Sequence, residues 1–228
     1  MEFISVQNLQ SAYGRHQVLK DVSLSIDRGD CVAILGANGC GKTTLLSILA
    51  GLRAPKGGKI FLEGEEVSSK SMKDKYLRSI GYVPQESILI PELSVWDNLL
   101  LWYVDEEVLN RELRLGFLHE LKLTDMLKKP VSHLSGGMHK RVSIAVALSG
   151  FPQVLIMDEP SAALDLPGKR EMQAYLSKFR AMGGTIILAT HDEQELDLCN
   201  KLFLLKDGKC QGINPNMRGE ELANQMHI

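Results

Sequence analysis

The segment GANGCGKT, residues 36–43, has the glycine spacing and the closing lysine and threonine of a phosphate-binding loop. It follows the apolar run CVAIL and continues into TTLLSILAGL, which has helical periodicity, so it joins a predicted strand to a predicted helix. Glycines allow backbone N–H groups to wrap around phosphates, Lys42 can reach the β- and γ-phosphates, and the Thr43 hydroxyl can bind Mg²⁺. The segment therefore predicts a nucleotide-binding site.

Two carboxylates end the apolar run VLIMDE, residues 154–159. Asp158 could hold Mg²⁺, and Glu159 could polarise an attacking water, a role that typically contributes a factor of about 10²–10⁴ in rate. The alternative is a surface or helix-capping acidic pair. The phosphate-binding loop upstream favours the catalytic interpretation.

Three further side chains are candidates with open alternatives. His191 follows the run TIILAT, at the carboxyl end of a predicted parallel strand where ligands of such sheets bind, and it either meets a γ-phosphate or is structural. Gln85 also ends an apolar run, and its amide either contacts Mg²⁺ and water or is simply exposed. Tyr13 either stacks on a base or packs within a strand.

A second possible phosphate site lies at LSGGM, residues 134–138. A serine and two glycines run into the periodic segment HKRVSIAVALS, and a helix N-terminus offers unpaired backbone N–H groups to an anion. One nucleotide site does not need two such cradles, which raises the question of whose phosphate the second one binds.

The elements that must position these residues follow from hydrophobic periodicity. FISVQNLQ and HQVLKDVSLSIDRGD alternate as antiparallel strands do, GKIFLEG is typical of an edge strand, and SIGYVPQ of a buried one. Helices are predicted at 138–149, at about 167–180 and from Glu193, alternating with apolar runs that predict parallel strands. Asp207 and Gly208 then predict a tight hairpin.

This pattern predicts an α/β fold with a mostly parallel sheet, an N-terminal antiparallel β subdomain and an inserted helical subdomain. Residues 86–134 carry Leu, Glu and Lys at helical spacing and form the predicted insertion. We predict one domain spanning residues 1–228, with residues 1–85 and 135–228 as its nucleotide-binding core.

Composition excludes several classes of protein. With 228 residues, 44% hydrophobic and 24% charged, the chain is typical of a globular protein, and a net charge of -2 disfavours nucleic acid as a partner. The four cysteines show no CxxC pairing, which disfavours zinc and a disulfide framework and favours a reducing cytosol. We expect neither a secretory leader nor a membrane span, because no apolar run approaches the ~18 residues a span needs.

Taken together and in this order, Tyr13, GANGCGKT, Gln85, LSGGM, VLIMDEP, SAALD and His191 resemble the ATP-binding cassette ATPases, the nucleotide-binding subunits of ABC transporters. The resemblance covers nearly the whole chain. It implies a P-loop NTPase core that binds ATP and Mg²⁺.

The resemblance also implies a role for each candidate residue. Tyr13 would stack on adenine, Gln85 and Asp158 would attend Mg²⁺ together with Thr43, Glu159 would be the catalytic base, and His191 would sense the γ-phosphate. The residues it assigns to the phosphates are Gly36, Ala37, Asn38, Gly39, Cys40, Gly41, Lys42, Thr43 and Thr44.

In this family two cassettes pack head to tail, which would explain the second cradle. Ser135, Gly136 and Gly137 of one subunit would close over the ATP of the other, and Asp165 would lie at the contact between them. The resemblance implies a transmembrane permease subunit as a further partner and a cytoplasmic location, peripheral on the inner face of the cell membrane. A homodimer and a heterodimer both remain open, as do the substrate and the direction of transport.

There are two alternatives to the ATPase subunit of a transporter. A soluble ABC-type ATPase of an assembly complex, such as one in iron–sulfur cluster biogenesis, would have a single cassette of similar size. A nucleotide-binding regulator without turnover is disfavoured because Glu159 and His191 are both present.

Three details lead to further hypotheses. Met138 stands where the family usually has glutamine, and because it cannot donate a hydrogen bond we expect a retuned cross-subunit site.

Cys40 lies in the phosphate-binding loop, where a helix N-terminus favours thiolate, so we expect sensitivity to thiol reagents. In the segment 87–104 we expect Ile88, Ile90 and Trp96 to face outward toward a membrane subunit.

Overall fold

The computed structural model describes residues 2–162, 164–190 and 192–226. The strands within these ranges are β1 (Glu2–Tyr13), β2 (His16–Asp27), β3 (Cys31–Leu35), β4 (Gly57–Leu62), β5 (Glu65–Glu66), β6 (Ile80–Val83), β7 (Val154–Asp158), β8 (Thr185–Ala189), β9 (Lys201–Lys206) and β10 (Lys209–Ile213). The helices are α1 (Lys42–Leu49), α2 (Lys70–Arg78), α3 (Val95–Leu100), α4 (Glu106–Leu115), α5 (Phe117–Glu120), α6 (Gly136–Ala147), α7 (Leu166–Ala181), α8 (Glu193–Leu196) and α9 (Gly219–Met226). Single 3₁₀ turns span Thr124–Met126 and Val131–His133.

One continuous sheet has the strand order β5-β4-β1-β2-β10-β9-β3-β8-β7-β6. Strands β9, β3, β8, β7 and β6 pair in parallel, whereas β5, β4, β1 and β2 pair antiparallel. The hairpin of β9 and β10 joins the two parts, because β10 pairs antiparallel with β9 and meets β2 at Lys209 and Asp21. The predicted α/β fold with a mostly parallel sheet is therefore confirmed.

The central strands are buried because helices cover the sheet. Every residue of β3, β7 and β8 is buried, and α1 contacts β7 and β8 while α7 contacts β8. Side chains of β3 alternate between two apolar clusters: Cys31, Ala33 and Leu35 join one, and Val32 and Ile34 join the other. This packing fixes the carboxyl ends of β3, β6 and β7, which are followed by the phosphate-binding loop, Gln85 and Glu159.

The structure changes two strand assignments. GKIFLEG contains β4, which is not an edge strand, because β5 pairs with its outer side through Phe61 and Leu62. SIGYVPQ contains β6, which is the opposite edge of the sheet and pairs only with β7 among the described strands. Gly81 and Val83 of β6 are nevertheless buried.

The other predicted elements agree with the structure to within a few residues. Between residues 86 and 134 the regular elements are α3, α4, α5 and the two 3₁₀ turns, and α6 begins at Gly136 rather than at residue 138. The Asp-Gly hairpin forms as predicted, with Asp207 and Gly208 at φ values of 51° and 76°. Within the described ranges, every helix is too short or too polar to cross a membrane.

Candidate active site

The phosphate-binding loop depends on two glycines at its ends. Gly36 has a φ of +149°, and a Cβ there would lie 2.4 Å from the carbonyl oxygen of Leu205. Gly41 has a φ of +112°, and a Cβ there would lie 2.7 Å from Cγ1 of Val18. Because side chains rarely adopt these conformations and would collide with neighbours, the tight path of the loop requires glycine at both positions.

Lys42 and the first turn of α1 provide the positive end of the site. Lys42 is buried, and its Nζ donates hydrogen bonds to the carbonyl oxygens of Gly36 at 2.8 Å and Ala37 at 3.2 Å. The residue before α1, Gly41, has no side chain to cap the helix, and the first turn carries no acidic residue. The backbone N–H groups there are thus suited to bind an anion together with the ammonium group.

A cavity of about 460 Å³ lies over this loop. Loop residues 38, 39 and 41–44 line it, and so do Tyr13, Gln85 and Glu159. The structure therefore brings together side chains that lie far apart in the sequence, at the carboxyl ends of parallel strands where ligands of such sheets bind.

Tyr13 lines this cavity and is 54% exposed. The guanidinium of Arg53 stacks 3.9 Å from the ring centroid, and the Tyr13 hydroxyl is 3.4 Å from Oγ1 of Thr44. Arg53 was not among the predicted site residues. Forty positions separate it from Tyr13, and no local pattern indicates that the two are in contact. A half-exposed ring backed by a cation is suited to stacking on a base, and this geometry favours that interpretation over simple strand packing.

Asp158 ends β7 next to the hydroxyl of Thr43. The side chain is 1% exposed, and its Oδ2 has no hydrogen-bond partner among the described residues. Burial raises the pKa of Asp158, and the nearby Thr43 hydroxyl and Lys42 ammonium oppose that rise. A buried carboxylate oxygen without a partner, beside a hydroxyl, is an oxygen donor set that suits a hard cation such as Mg²⁺. These two residues therefore fit the predicted metal site.

Glu159 directly follows β7 and has a left-handed backbone with a φ of 46°. Its N–H donates to the carbonyl oxygen of Ala189 at 2.9 Å, and its Oε2 accepts a hydrogen bond from Nε2 of Gln85 at 3.0 Å. A left-handed glutamate costs free energy, and such conformations are concentrated at functional sites. The structure thus places the two predicted residues Gln85 and Glu159 in direct contact.

LSGGM forms the N-terminus of α6 as predicted. Ser135 is the N-cap residue, and its Oγ accepts a hydrogen bond from the backbone N–H of Met138 at 3.3 Å. Ser135 and Gly136 are exposed, and none of the described residues from 134 to 138 lines the cavity over the phosphate-binding loop. The side chain of Met138 is partly buried against the apolar core. The second cradle therefore opens to the outside of this chain.

The last two predicted site residues are Asp165 and His191. Asp165 is the exposed N-cap residue of α7, and its Oδ1 accepts a hydrogen bond from the N–H of Gly168 at 2.9 Å. His191 lies outside the described residues. The residues on either side are described: Thr190 is 2% exposed, and Asp192 is the N-cap residue of α8.

Lys140 on α6, two residues after LSGGM, is partly buried. Burial lowers its pKa, and the carboxylates of Glu195, Asp158 and Glu159 oppose that change. The ammonium group is therefore within electrostatic range of the two carboxylates that follow one another at the end of β7.

The surroundings of Cys40 do not favour the thiolate on which its expected reactivity rests. Burial raises the pKa of this thiol above its ordinary value, although the Lys42 ammonium opposes the rise. The sequence suggested a thiolate because the residue precedes a helix, but the half-buried sulfur packs against the apolar core. Desolvation of the charged form outweighs the helix and the lysine.

Comparison with known proteins agrees with this geometry. Residues 19–162 match the family model described as ABC transporter. The lipoprotein-releasing system ATP-binding protein LolD of Aquifex aeolicus is 36% identical over 92% of this chain and 97% of its own length. The sulfate/thiosulfate import ATP-binding protein CysA of Neisseria meningitidis is 35% identical over 91% of this chain, which spans 60% of that longer protein.

A solved structure of a dimeric ATP-binding cassette in a post-hydrolysis state, bound to ADP and Pi, superposes with a TM-score of 0.80. It is 28% identical, and the alignment covers 95% of this chain and 99% of that one. The family match, the two relatives and the phosphate-binding loop all lead to one conclusion. The chain belongs to the ABC transporter family, in which it is an ATP-binding subunit that hydrolyses ATP.

Proposed function

We propose that this subunit binds MgATP in the cavity over its phosphate-binding loop and hydrolyses it in a head-to-tail pair with a second ABC subunit. The observation that carries the proposal is the separation of the two phosphate cradles. The loop at residues 36–43 opens into the cavity that holds Glu159, whereas Ser135 and Gly136 are exposed elsewhere on the surface. The second cradle is thus available to the nucleotide of another subunit.

Each residue around the first cradle has a task that its surroundings support. Lys42 and the N–H groups that begin α1 bind the β- and γ-phosphates, and Tyr13 stacks on the adenine. Thr43 and Asp158, together with Gln85, would hold Mg²⁺, and the ion would supply positive charge to the reacting phosphates. Glu159 accepts a proton from the attacking water, and Gln85 orients its carboxylate through the 3.0 Å hydrogen bond.

The second subunit completes the site. Ser135, Gly136 and Gly137 at the exposed N-terminus of α6 donate to the γ-phosphate held by the partner, while His191 contributes from the same subunit as Glu159. Asp165 lies at the contact between subunits, where its exposure on α7 leaves it available. Because charge-assisted hydrogen bonds of this kind are worth roughly 1.5–3 kcal/mol each, loss of the γ-phosphate would open the pair.

Transport requires a membrane subunit, and the surface near Gln85 supplies a candidate contact. Ile88 and Ile90 are 44% and 41% exposed, whereas Trp96, the third expected residue, is partly buried against the core. We therefore assign the contact to the two isoleucines and place the chain on the cytoplasmic face of the membrane, bound to a permease. An assembly ATPase of iron–sulfur biogenesis is less well supported, because both relatives are named for transport systems.

The test of this function is light scattering of the Glu159→Gln variant with and without ATP. Removal of the base should stop turnover and trap a dimer, so the mass should double when ATP is added. Glu65→Gln, which changes an exposed carboxylate on β5, should hydrolyse ATP at the wild-type rate and serves as the matched control.

Two results would contradict parts of the proposal. Wild-type turnover by Glu159→Gln would show that this residue is not the base. A variant that binds ATP and stays monomeric would show that two copies of this chain do not form the pair, and that the second cradle serves a different subunit.

A further inference from the structure

We propose that Asp192 is a positioning residue that links the subunit contact at Asp165 to the catalytic Glu159. The link is a clamp formed by Ser161, Lys169 and Asp192. The inference rests on the proposed function, because it takes Glu159 as the base and Asp165 as a contact with a second subunit.

The contacts of Asp192 define the clamp. Its Oδ2 accepts hydrogen bonds from Nζ of Lys169 at 2.6 Å and from Oγ of Ser161 at 3.3 Å. Its Oδ1 accepts from the N–H of Gln194 at 2.9 Å, and its own N–H donates to Oγ1 of Thr190 at 2.9 Å. One carboxylate thus holds together α7, the segment after β7, and the segment between β8 and α8.

The clamp is less exposed than the ion pair that Lys178 of α7 forms with Glu120. Ser161 and Thr190 are 5% and 2% exposed, and the side chains of Lys169 and Asp192 are 32% and 17% exposed. On the same helix, Lys178 pairs with Glu120, but those side chains are 54% and 41% exposed. Because exposed ion pairs contribute little and shielded pairs with extra hydrogen bonds hold their geometry better, the two pairs on α7 should differ in importance.

The clamp connects Asp165, at the start of α7, to Glu159, at the end of β7. Lys169 lies one helical turn after Asp165, and its backbone N–H donates to the Asp165 carbonyl oxygen at 2.9 Å. Ser161 follows Glu159 by two residues. A displacement at Asp165 therefore reaches Asp192 through Lys169, and it reaches the backbone of Glu159 through Ser161.

A cavity of about 430 Å³ lies between these groups and the base. Ser161, Lys169, Thr190 and Asp192 line it together with Glu159, which also lines the cavity over the phosphate-binding loop. Glu159 thus lies between the phosphate site and the clamp. Asp192 acts on catalysis through the segment that holds Glu159, which makes it a positioning residue.

Asp192 and Lys169 both stay charged at neutral pH. Burial favours a higher pKa for Asp192, but hydrogen bonds from Lys169 and from the Gln194 N–H outweigh it and hold the pKa below its ordinary value. The same hydrogen bond raises the pKa of Lys169. Loss of either charge by substitution is therefore a fair test of the clamp near pH 7.

The experiment removes the charge of Lys169 in one variant and the charge of Asp192 in another. Lys169→Met removes the ammonium group, and Asp192→Asn removes the charge but keeps the oxygen that caps α8. Lys169→Arg keeps the charge, and Lys178→Met breaks the exposed pair on the same helix as a matched control. For each variant we would measure kcat and KM for ATP, the affinity for a fluorescent ATP analogue, and ATP-dependent dimerisation in the Glu159→Gln background.

Lys169→Met and Asp192→Asn should lower kcat at least about tenfold, the scale expected when a catalytic group is held less well, with affinity and dimerisation changed less than about threefold. Lys169→Arg should recover most of the rate, and Lys178→Met should match the wild type. The clamp would be disproved if either broken variant kept the kcat of Lys178→Met, or if affinity or dimerisation fell as much as kcat. Failure of the proposed function would look different, because Glu159→Gln alone would then retain turnover.

Discussion

Gln85 donates a hydrogen bond from Nε2 to Oε2 of Glu159 at 3.0 Å, across 74 positions of the chain. Gln85 follows β6 and Glu159 follows β7, and the two strands are parallel neighbours at one edge of the sheet. The exposed Ile88 and Ile90 come shortly after Gln85. One short segment thus connects the proposed contact with a membrane subunit to the proposed catalytic base.

We predict that Gln85→Glu lowers turnover. A second carboxylate next to Glu159 would repel it and remove the donor that orients it, so kcat should fall about tenfold or more, a typical scale for a mispositioned base. ATP affinity measured without Mg²⁺ should change little, because the side chain of Gln85 bonds to Glu159 whereas the Lys42 ammonium bonds to the carbonyl oxygens of Gly36 and Ala37. Steady-state kinetics would measure the effect against Gln211→Glu, an exposed position on β10. Equal kcat values for the two variants would rule out an orienting role.

Asp158→Asn should separate nucleotide binding from Mg²⁺-dependent hydrolysis. The amide has the same shape as the carboxylate and removes the charge that a divalent cation requires, so the fold should be retained while turnover is lost. Affinity for ATP measured in EDTA should remain close to that of the wild type, and added Mg²⁺ should no longer raise it. A variant that still responds to Mg²⁺ would show that the ion is held by other residues.

Met138→Gln should strengthen ATP-dependent pairing. The glutamine adds a hydrogen-bond donor at the N-terminus of α6, and one net hydrogen bond of about 1 kcal/mol corresponds to roughly a fivefold tighter dimer. Sedimentation of the variant in the Glu159→Gln background would measure this. Met182→Gln, at a position that is 73% exposed beyond α7, is the control and should leave pairing unchanged. Unchanged pairing and turnover in Met138→Gln would refute the hypothesis that this residue retunes the site.

Cys40 should react slowly with iodoacetamide at pH 7.5. Burial raises the pKa of its thiol, so the reactive thiolate is scarcer than in a free thiol, and we expect a rate below that of N-acetylcysteine. Because the thiolate fraction grows about tenfold per pH unit below the pKa, the rate should keep rising with pH over the range in which the rate of N-acetylcysteine levels off.

Mass spectrometry of the peptide that contains Cys40 would give the rate of this reaction, with Cys40→Ser to identify the signal. Bound ATP should slow it further. Labelling at the speed of the free thiol would show that the sulfur is not desolvated.

Local patterns in the sequence were enough to predict most of the elements around the cavity over the phosphate-binding loop. The glycine spacing of residues 36–43, the apolar runs that end at Asp158 and Glu159, and the Asp-Gly hairpin each depend on neighbours in the chain. Periodicity and backbone preference act over a few residues, so they can be recognised without a structure. The order of motifs along the chain also indicates the family.

Tertiary structure alone decided the contacts between distant segments. The placement of β4 inside the sheet and β6 at its edge, the raised pKa of Cys40, and the Gln85–Glu159 hydrogen bond depend on which elements pack together. The clamp of Ser161, Lys169 and Asp192 joins residues up to 31 positions apart. Burial and hydrogen bonding across such separations are set by the packing of the whole domain, so no local pattern records them.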